Sequence, residues 1–157
     1  LADNIPKAPR ENVITQLLSA FEKTGSTVIA LEQVADDKTA NYGIADIKAN
    51  THQQRNLLNI KDLIEKPSAG EAPSNYAIAS RYVFPASLFS YLDNTPPGKK
   101  NEIQVTDAIR LMMKDLPVNG LEFEGKRFDV GNRTDYLRTI LAFAADNPEF
   151  NSVMQEI

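Results

Sequence analysis

Glu65 and Lys66 stand side by side at the end of an apolar run, with Pro67 directly after them. Residues adjacent on a strand point to opposite faces, so this acid and this base are badly placed to neutralise each other. A carboxylate with two acceptor oxygens and an ammonium with three donors, set where a strand stops, are expected to hold something that is not protein. His52, the single histidine, lies in a polar stretch and receives no role.

The bulk of the chain narrows the choice of partner. Its 157 residues suit one domain or a large part of one. Net charge is −4 with no basic block, which gives no support to nucleic-acid or membrane-surface binding. With no cysteine there is no disulfide framework and no thiolate metal site, which suits a reducing cytoplasm. No apolar run approaches the roughly 20 residues of a membrane span. The chain opens on Leu1-Ala2-Asp3 without a methionine, and the expectation is a piece of something longer.

The reactive groups need a frame. "ENVITQLLSAFEKTG" carries Val13, Ile14, Leu17, Leu18 and Phe21 at helical spacing, with Gly25 as its stop. "STVIALEQV" is short and β-branched, as strands are. "YGIADIKA" alternates like a half-buried strand, and "LLNIKDLIEK" is expected to pair with it as a hairpin that Pro67 ends. "NYAIASRYVF" predicts a further strand. Pro85 suits a first helical position, with Leu88, Phe89 and Leu92 on one face. Thr106 suits the N-cap of a helix whose apolar face is Ile109, Met112, Met113 and Leu116. "LEFEGKRFDVG" reads as a hairpin or strand broken at Gly125, and "RTDYLRTILAFAADN" as a closing amphipathic helix. Helices and short strands alternating around a hairpin predict an α/β layered fold.

Five segments, taken in order, go further: "LADNI", "NYGIADI", "LIEKPSAGEAPSNYAIASRYVF", "TPPGKKNEIQVTDAI" and "GKRFDVGNRTDYL". Together they resemble the C-terminal half of the bacterial-type UTP–glucose-1-phosphate uridylyltransferases, also called UDP-glucose pyrophosphorylases. The resemblance runs over nearly the whole chain. It implies a Rossmann-like nucleotide-diphospho-sugar transferase fold, α/β with a mixed sheet and flanking helices. Residues 1–157 would be its C-terminal, sugar-phosphate-binding portion, with the N-terminal nucleotide-binding half absent. No GxGxxR-like phosphate loop occurs in the chain. The implied reaction joins UTP to glucose 1-phosphate, giving UDP-glucose and pyrophosphate, with Mg2+ as helper. The implied setting is a cytoplasmic homo-oligomer, and the chain alone is expected to be inactive.

The resemblance also assigns roles. Asp3 and Asp129 match acids that hold the metal, while a second acid common in the family is Asn4 here. Glu65 matches the acceptor of glucose hydroxyls. Lys66, pointing the other way along the strand, would meet the sugar phosphate and is the catalytic candidate. Gly43 would let the backbone approach the sugar, and Ile78, within Asn75–Ile78, would line the pocket. Ser80-Arg81-Tyr82 stands where the family has Gly-Arg-Tyr, and Arg133 where it often has lysine. Several of these residues suit structure equally well: Asp3 as a chain end, Gly43 as a strand start, Asp129 as a cap on the turn into the last helix. Arg81 suits an ion pair, and Glu102–Asp107 a loop entering a helix.

Two other readings stand beside this one. A non-catalytic interaction or regulatory module could keep the fold, although it would have no need of acids and bases so placed. A sister sugar nucleotidyltransferase of different base specificity would share most of these residues.

Overall fold

A computed structural model gives the architecture and describes residues 4–48, 54, 56–68, 70–98 and 101–156. The chain begins with strand β1 (Asn4–Lys7) and helix α1 (Val13–Thr24). In α1 the Asn12 side chain accepts the Thr15 N–H at 2.9 Å, and Gly25 ends the helix by donating to the Phe21 carbonyl at 2.7 Å. Strands β2 (Thr27–Gln33), β3 (Gly43–Ile47), β4 (Leu57–Glu65) and β5 (Tyr76–Val83) follow, then helices α2 (Leu88–Asp93) and α3 (Val105–Met112). The chain closes with β6 (Val118–Glu122), β7 (Lys126–Asp129), α4 (Arg133–Ala145) and α5 (Asn151–Gln155).

The five strands β2-β5-β3-β4-β6 form one mixed sheet, and a parallel pairing of β6 with β2 closes it into a ring. The predicted β3–β4 hairpin is present, with Gly43 opposite Glu65. Strand β2 is buried from Thr27 to Leu31, as befits a strand covered on both faces. Its even residues Val28 and Ala30 pack with Val13, Leu17 and Ala20 of α1. Its odd residues Ile29 and Leu31 pack with Leu88, Ala108, Ile109 and Met112 of α2 and α3. Helices thus flank a central sheet, as the α/β reading required.

Four local expectations are corrected. Helix α2 starts at Leu88 rather than at Pro85, because the chain from Pro85 first makes tight i→i+3 turns, Leu88 to Pro85 and Phe89 to Ala86. Three residues per turn bring Leu88 and Tyr91 inward and leave Phe89 71% exposed. Helix α3 is preceded by Gln104 in extended conformation, so Thr106 lies inside the first turn and is not the N-cap. Of the two readings of "LEFEGKRFDVG" the strand holds, broken around Gly125, and the hairpin does not: β6 joins the ring, while β7 pairs antiparallel with β1 in a separate two-stranded ribbon. Gly125 permits the crossing, since a Cβ there would sit 2.6 Å from the Lys7 carbonyl oxygen. Finally, α4 buries only Thr139 and leaves Tyr136, Leu137, Ile140, Leu141 and Phe143 exposed. Its apolar side finds little to pack on beyond the ribbon.

Candidate sugar-phosphate site

The hairpin register sets Gly43 beside Glu65, and β5 brings Ile78 alongside through the Ile44–Ala77 pair. These three residues converge closely. A Cβ built on Gly43 would lie 3.0 Å from Glu65 Oε2 and 3.1 Å from Ile78 Cδ1. Only glycine leaves the space in front of the carboxylate open.

Lys66 is where strand logic fails. Alternation would send it to the face opposite Glu65, but β4 ends at Glu65. Lys66 takes a left-handed conformation, φ 47°, and its N–H donates to the Tyr42 carbonyl at 3.1 Å. The turn returns Lys66 to the side of Glu65, and both line one cavity of about 250 Å3. No ion pair joins them among the described residues. Asn41, Tyr42, Gly43, Ile78, Ser80 and Tyr82 form the wall on the ring side, with Thr106 of α3 beside them. Burial, and then the charge of Glu65, pushes the Tyr82 phenol up, so its hydroxyl stays neutral beside the carboxylate.

The ribbon supplies the opposite wall through Asn4, Arg127 and Asp129. Asp129 pairs with Asn4 across the ribbon. Its Oδ1 accepts the Gly131 N–H at 2.8 Å, just before Asn132 caps α4 by accepting from Asp135. Asp129 therefore shapes the turn into the helix and faces the cavity as well. Its Oδ2 has no partner among the described residues, which fits a hard cation's preference for carboxylate oxygen. Asp3 lies outside the described residues, as does His52. No group of three His, Cys, Asp or Glu side chains suited to a metal occurs among the described residues.

The other candidates scatter. Asn75 lines a different cleft, with Asp36, Thr39 and Gly70, so only Ile78 of its segment reaches the cavity. Arg81 makes no ion pair among the described residues; it donates to the carbonyls of Ser80 at 2.9 Å and Asn4 at 2.6 Å. Ser80 keeps a left-handed backbone, φ 53°, at an irregularity in the β2–β5 ladder. Arg133 is exposed at the start of α4 and away from the cavity wall. Glu102, Gln104 and Asp107 line an adjoining groove of about 470 Å3 that shares Glu65, Lys66 and Thr106 with the cavity.

Arg127 is the residue that sequence reasoning passed over. Its side chain is 6% exposed, is charge-paired with Glu32, donates to Asn4 Oδ1 at 2.8 Å, and lies 4.3 Å above the Tyr42 ring. Burial opposes its charge, but Glu32 and Tyr42 outweigh burial and hold its pKa above the ordinary value. The signal was available: Arg127 and Asp129, two apart on a strand, share a face.

Comparison with known proteins identifies the family of the chain. The nucleotidyl transferase family model matches residues 2–146. The UTP–glucose-1-phosphate uridylyltransferase of Bacillus subtilis is 39% identical over 149 residues, 95% of this chain and 50% of that protein. The enzyme of the same name from Staphylococcus haemolyticus is 38% identical over 136 residues, 87% of this chain and 46% of that protein. A crystal structure of UDP-glucose pyrophosphorylase complexed with UDP-glucose superposes with a TM-score of 0.84 at 33% identity, covering 94% of this chain and 55% of that one. The chain spans about half the length of the curated relatives it matches. By its sequence, its mixed α/β sheet and the extent of these matches, the chain belongs to the nucleotidyl transferase family.

Proposed function

We propose that residues 1–157 form the C-terminal, sugar-phosphate-binding portion of a UTP–glucose-1-phosphate uridylyltransferase. One observation carries the reading: Gly43, Glu65, Lys66, Ile78 and Asp129 converge on a single cavity. At about 250 Å3 it falls below the roughly 300–1,000 Å3 of drug-sized clefts, a scale that suits one sugar phosphate.

Glu65 accepts hydrogen bonds from neighbouring sugar hydroxyls, each a charge-assisted contact. The backbone at Gly43 approaches the ring, and Ile78 packs against it. Lys66 neutralises the sugar phosphate while that phosphate meets a second polyanion, so its part is electrostatic and positional. A phosphate oxygen of glucose 1-phosphate attacks the α-phosphorus of UTP in line. The bond from that phosphorus to the bridging oxygen breaks, and pyrophosphate leaves with the electron pair. No covalent bond to the protein forms. A divalent cation, taken here as Mg2+, would be held by Asp129 together with Asp3 and would neutralise bridging phosphate oxygens. The reading includes a cytoplasmic site of action, consistent with the absence of cysteine, and a homo-oligomeric enzyme. Among the described residues no helix is long and apolar enough to cross a membrane.

Titration of glucose 1-phosphate into the 15N-labelled chain with Mg2+ tests the proposal. The amides of Gly43, Glu65, Lys66 and Ile78 should shift, and Glu65→Gln should weaken binding about tenfold, the loss of roughly one charge-assisted hydrogen bond. An equal response to inorganic phosphate alone would remove the sugar from the reading.

A further inference from the structure

The ring and the ribbon share no backbone ladder among the described residues, yet the cavity takes a wall from each. Beyond the short link from β6 to β7 and the bond from Arg81 to the Asn4 carbonyl, side chains set the gap between Asp129 on one side and Glu65 and Lys66 on the other. Arg127 touches all the parts concerned. It grows from β7, pairs with Glu32 on β2, donates to Asn4 on β1 and stacks on Tyr42 just before β3. The Tyr42 carbonyl in turn accepts the N–H that holds Lys66 in its left-handed turn.

We infer that Arg127 is a positioning residue that fixes the cation end of the site, Asp129, against the sugar-phosphate end, Glu65 and Lys66. The inference rests on the reading of the site given above. Arg127 has its charge committed to Glu32, so it acts through its neighbours and takes no phosphate itself. The planar guanidinium is essential to this role: it presents a fork of donors at its edge and a flat face to the aromatic ring. A lysine at the same place could keep the pair with Glu32 but could not hold Asn4 and cover Tyr42 together.

The test uses the whole chain, with Mn2+ and glucose 1-phosphate as probes. In the wild type, Mn2+ should raise the affinity for the sugar phosphate, a coupling between the two ends of the site. In Arg127→Lys that gain should fall tenfold or more, whatever happens to the separate affinities. Residual dipolar couplings supply a readout that needs no ligand: ring and ribbon amides should fit one alignment tensor in the wild type and two in Arg127→Lys. Tyr42→Leu, which leaves the pair with Glu32 in place, should separate the tensors in the same way and serves if Arg127→Lys does not fold. An unchanged Mn2+ gain with a single tensor in a folded variant would overturn the inference and leave Arg127 as a stabilising ion pair. A wild type that binds no sugar phosphate would instead defeat the reading of the site, while the tensor comparison would still judge the role of Arg127 in joining the two sheets.

Discussion

Substituting Gly43 by alanine should separate binding from stability. The new Cβ would stand 3.0 Å from Glu65 Oε2 and 3.1 Å from Ile78 Cδ1, a few tenths of an ångström inside comfortable contact. Stability should change little: Gly43 is the first residue of β3, so alanine recovers at most the roughly 0.5–1 kcal/mol that glycine costs in a strand interior, and this offsets the crowding of a movable carboxylate tip. Thermal denaturation should therefore move by no more than about 4 °C, the shift that ~1 kcal/mol produces in a domain of this size. Binding is another matter. The methyl displaces the Glu65 carboxylate and blocks the backbone approach, and losing one or two charge-assisted hydrogen bonds of about 1.5 kcal/mol each amounts to roughly 10–100-fold in affinity. Calorimetric titration with glucose 1-phosphate reads the effect. A folded Gly43→Ala chain that binds within twofold of the wild type would refute the placement of the sugar against this glycine.

Ser80 holds φ 53° at a cost of about 1–2 kcal/mol for a residue with a Cβ, while glycine pays back ~0.5–1 kcal/mol in chain freedom. Ser80→Gly should thus raise the melting temperature by a degree or more, and a fall would show that the serine side chain itself holds the irregularity. Hydrogen bonding from Asn132, and then Arg138, holds the Asp135 carboxyl below its ordinary value of 3.8. A depressed folded pKa contributes stability above the ordinary value and loses it as pH falls through the folded one. The melting gap between wild type and Asp135→Asn should be present at neutral pH and close in acid below about 3.8; a gap that persists under strong acid would count against that account. The exposed Leu137, Ile140 and Leu141 of α4 should drive self-association. Ile140→Lys should reduce it, and sedimentation of the wild type as a clean monomer at tens of micromolar would dismiss it.

Helix α1, strand β2 and the β3–β4 hairpin were legible because each rests on local periodicity and on punctuation by Gly25 and Pro67. The grouping of Gly43, Glu65 and Ile78 came from family resemblance, since nothing in the spacing of positions 43, 65 and 78 announces a common cavity. Lys66 was assigned to the wrong face because alternation holds only inside a strand, and a lysine gives no local sign of a positive φ. The closure of β6 on β2 joins distant segments, which no window of sequence can display. Arg127 was hidden by its ordinary appearance in a charged strand, although its spacing from Asp129 carried the clue. The exposure of α4 was missed because an apolar stripe announces that it wants cover without saying whether cover is present.

The parallel contact of β2 with β6 makes Thr27 a partner of Val118, with nearly the whole middle of the chain between them. Such a pairing must await the ordering of everything in between, because the entropy of closing so long a loop is lost before the contact returns anything. During synthesis β2 precedes both of its partners, β5 and β6, and the edge that β6 takes stays unpaired the longer. The hairpin of β3 and β4 can form meanwhile from neighbouring residues alone. The architecture that gathers the cavity thus leaves one edge of β2 open to stray pairing until the fifth strand of the ring, β6, has been made.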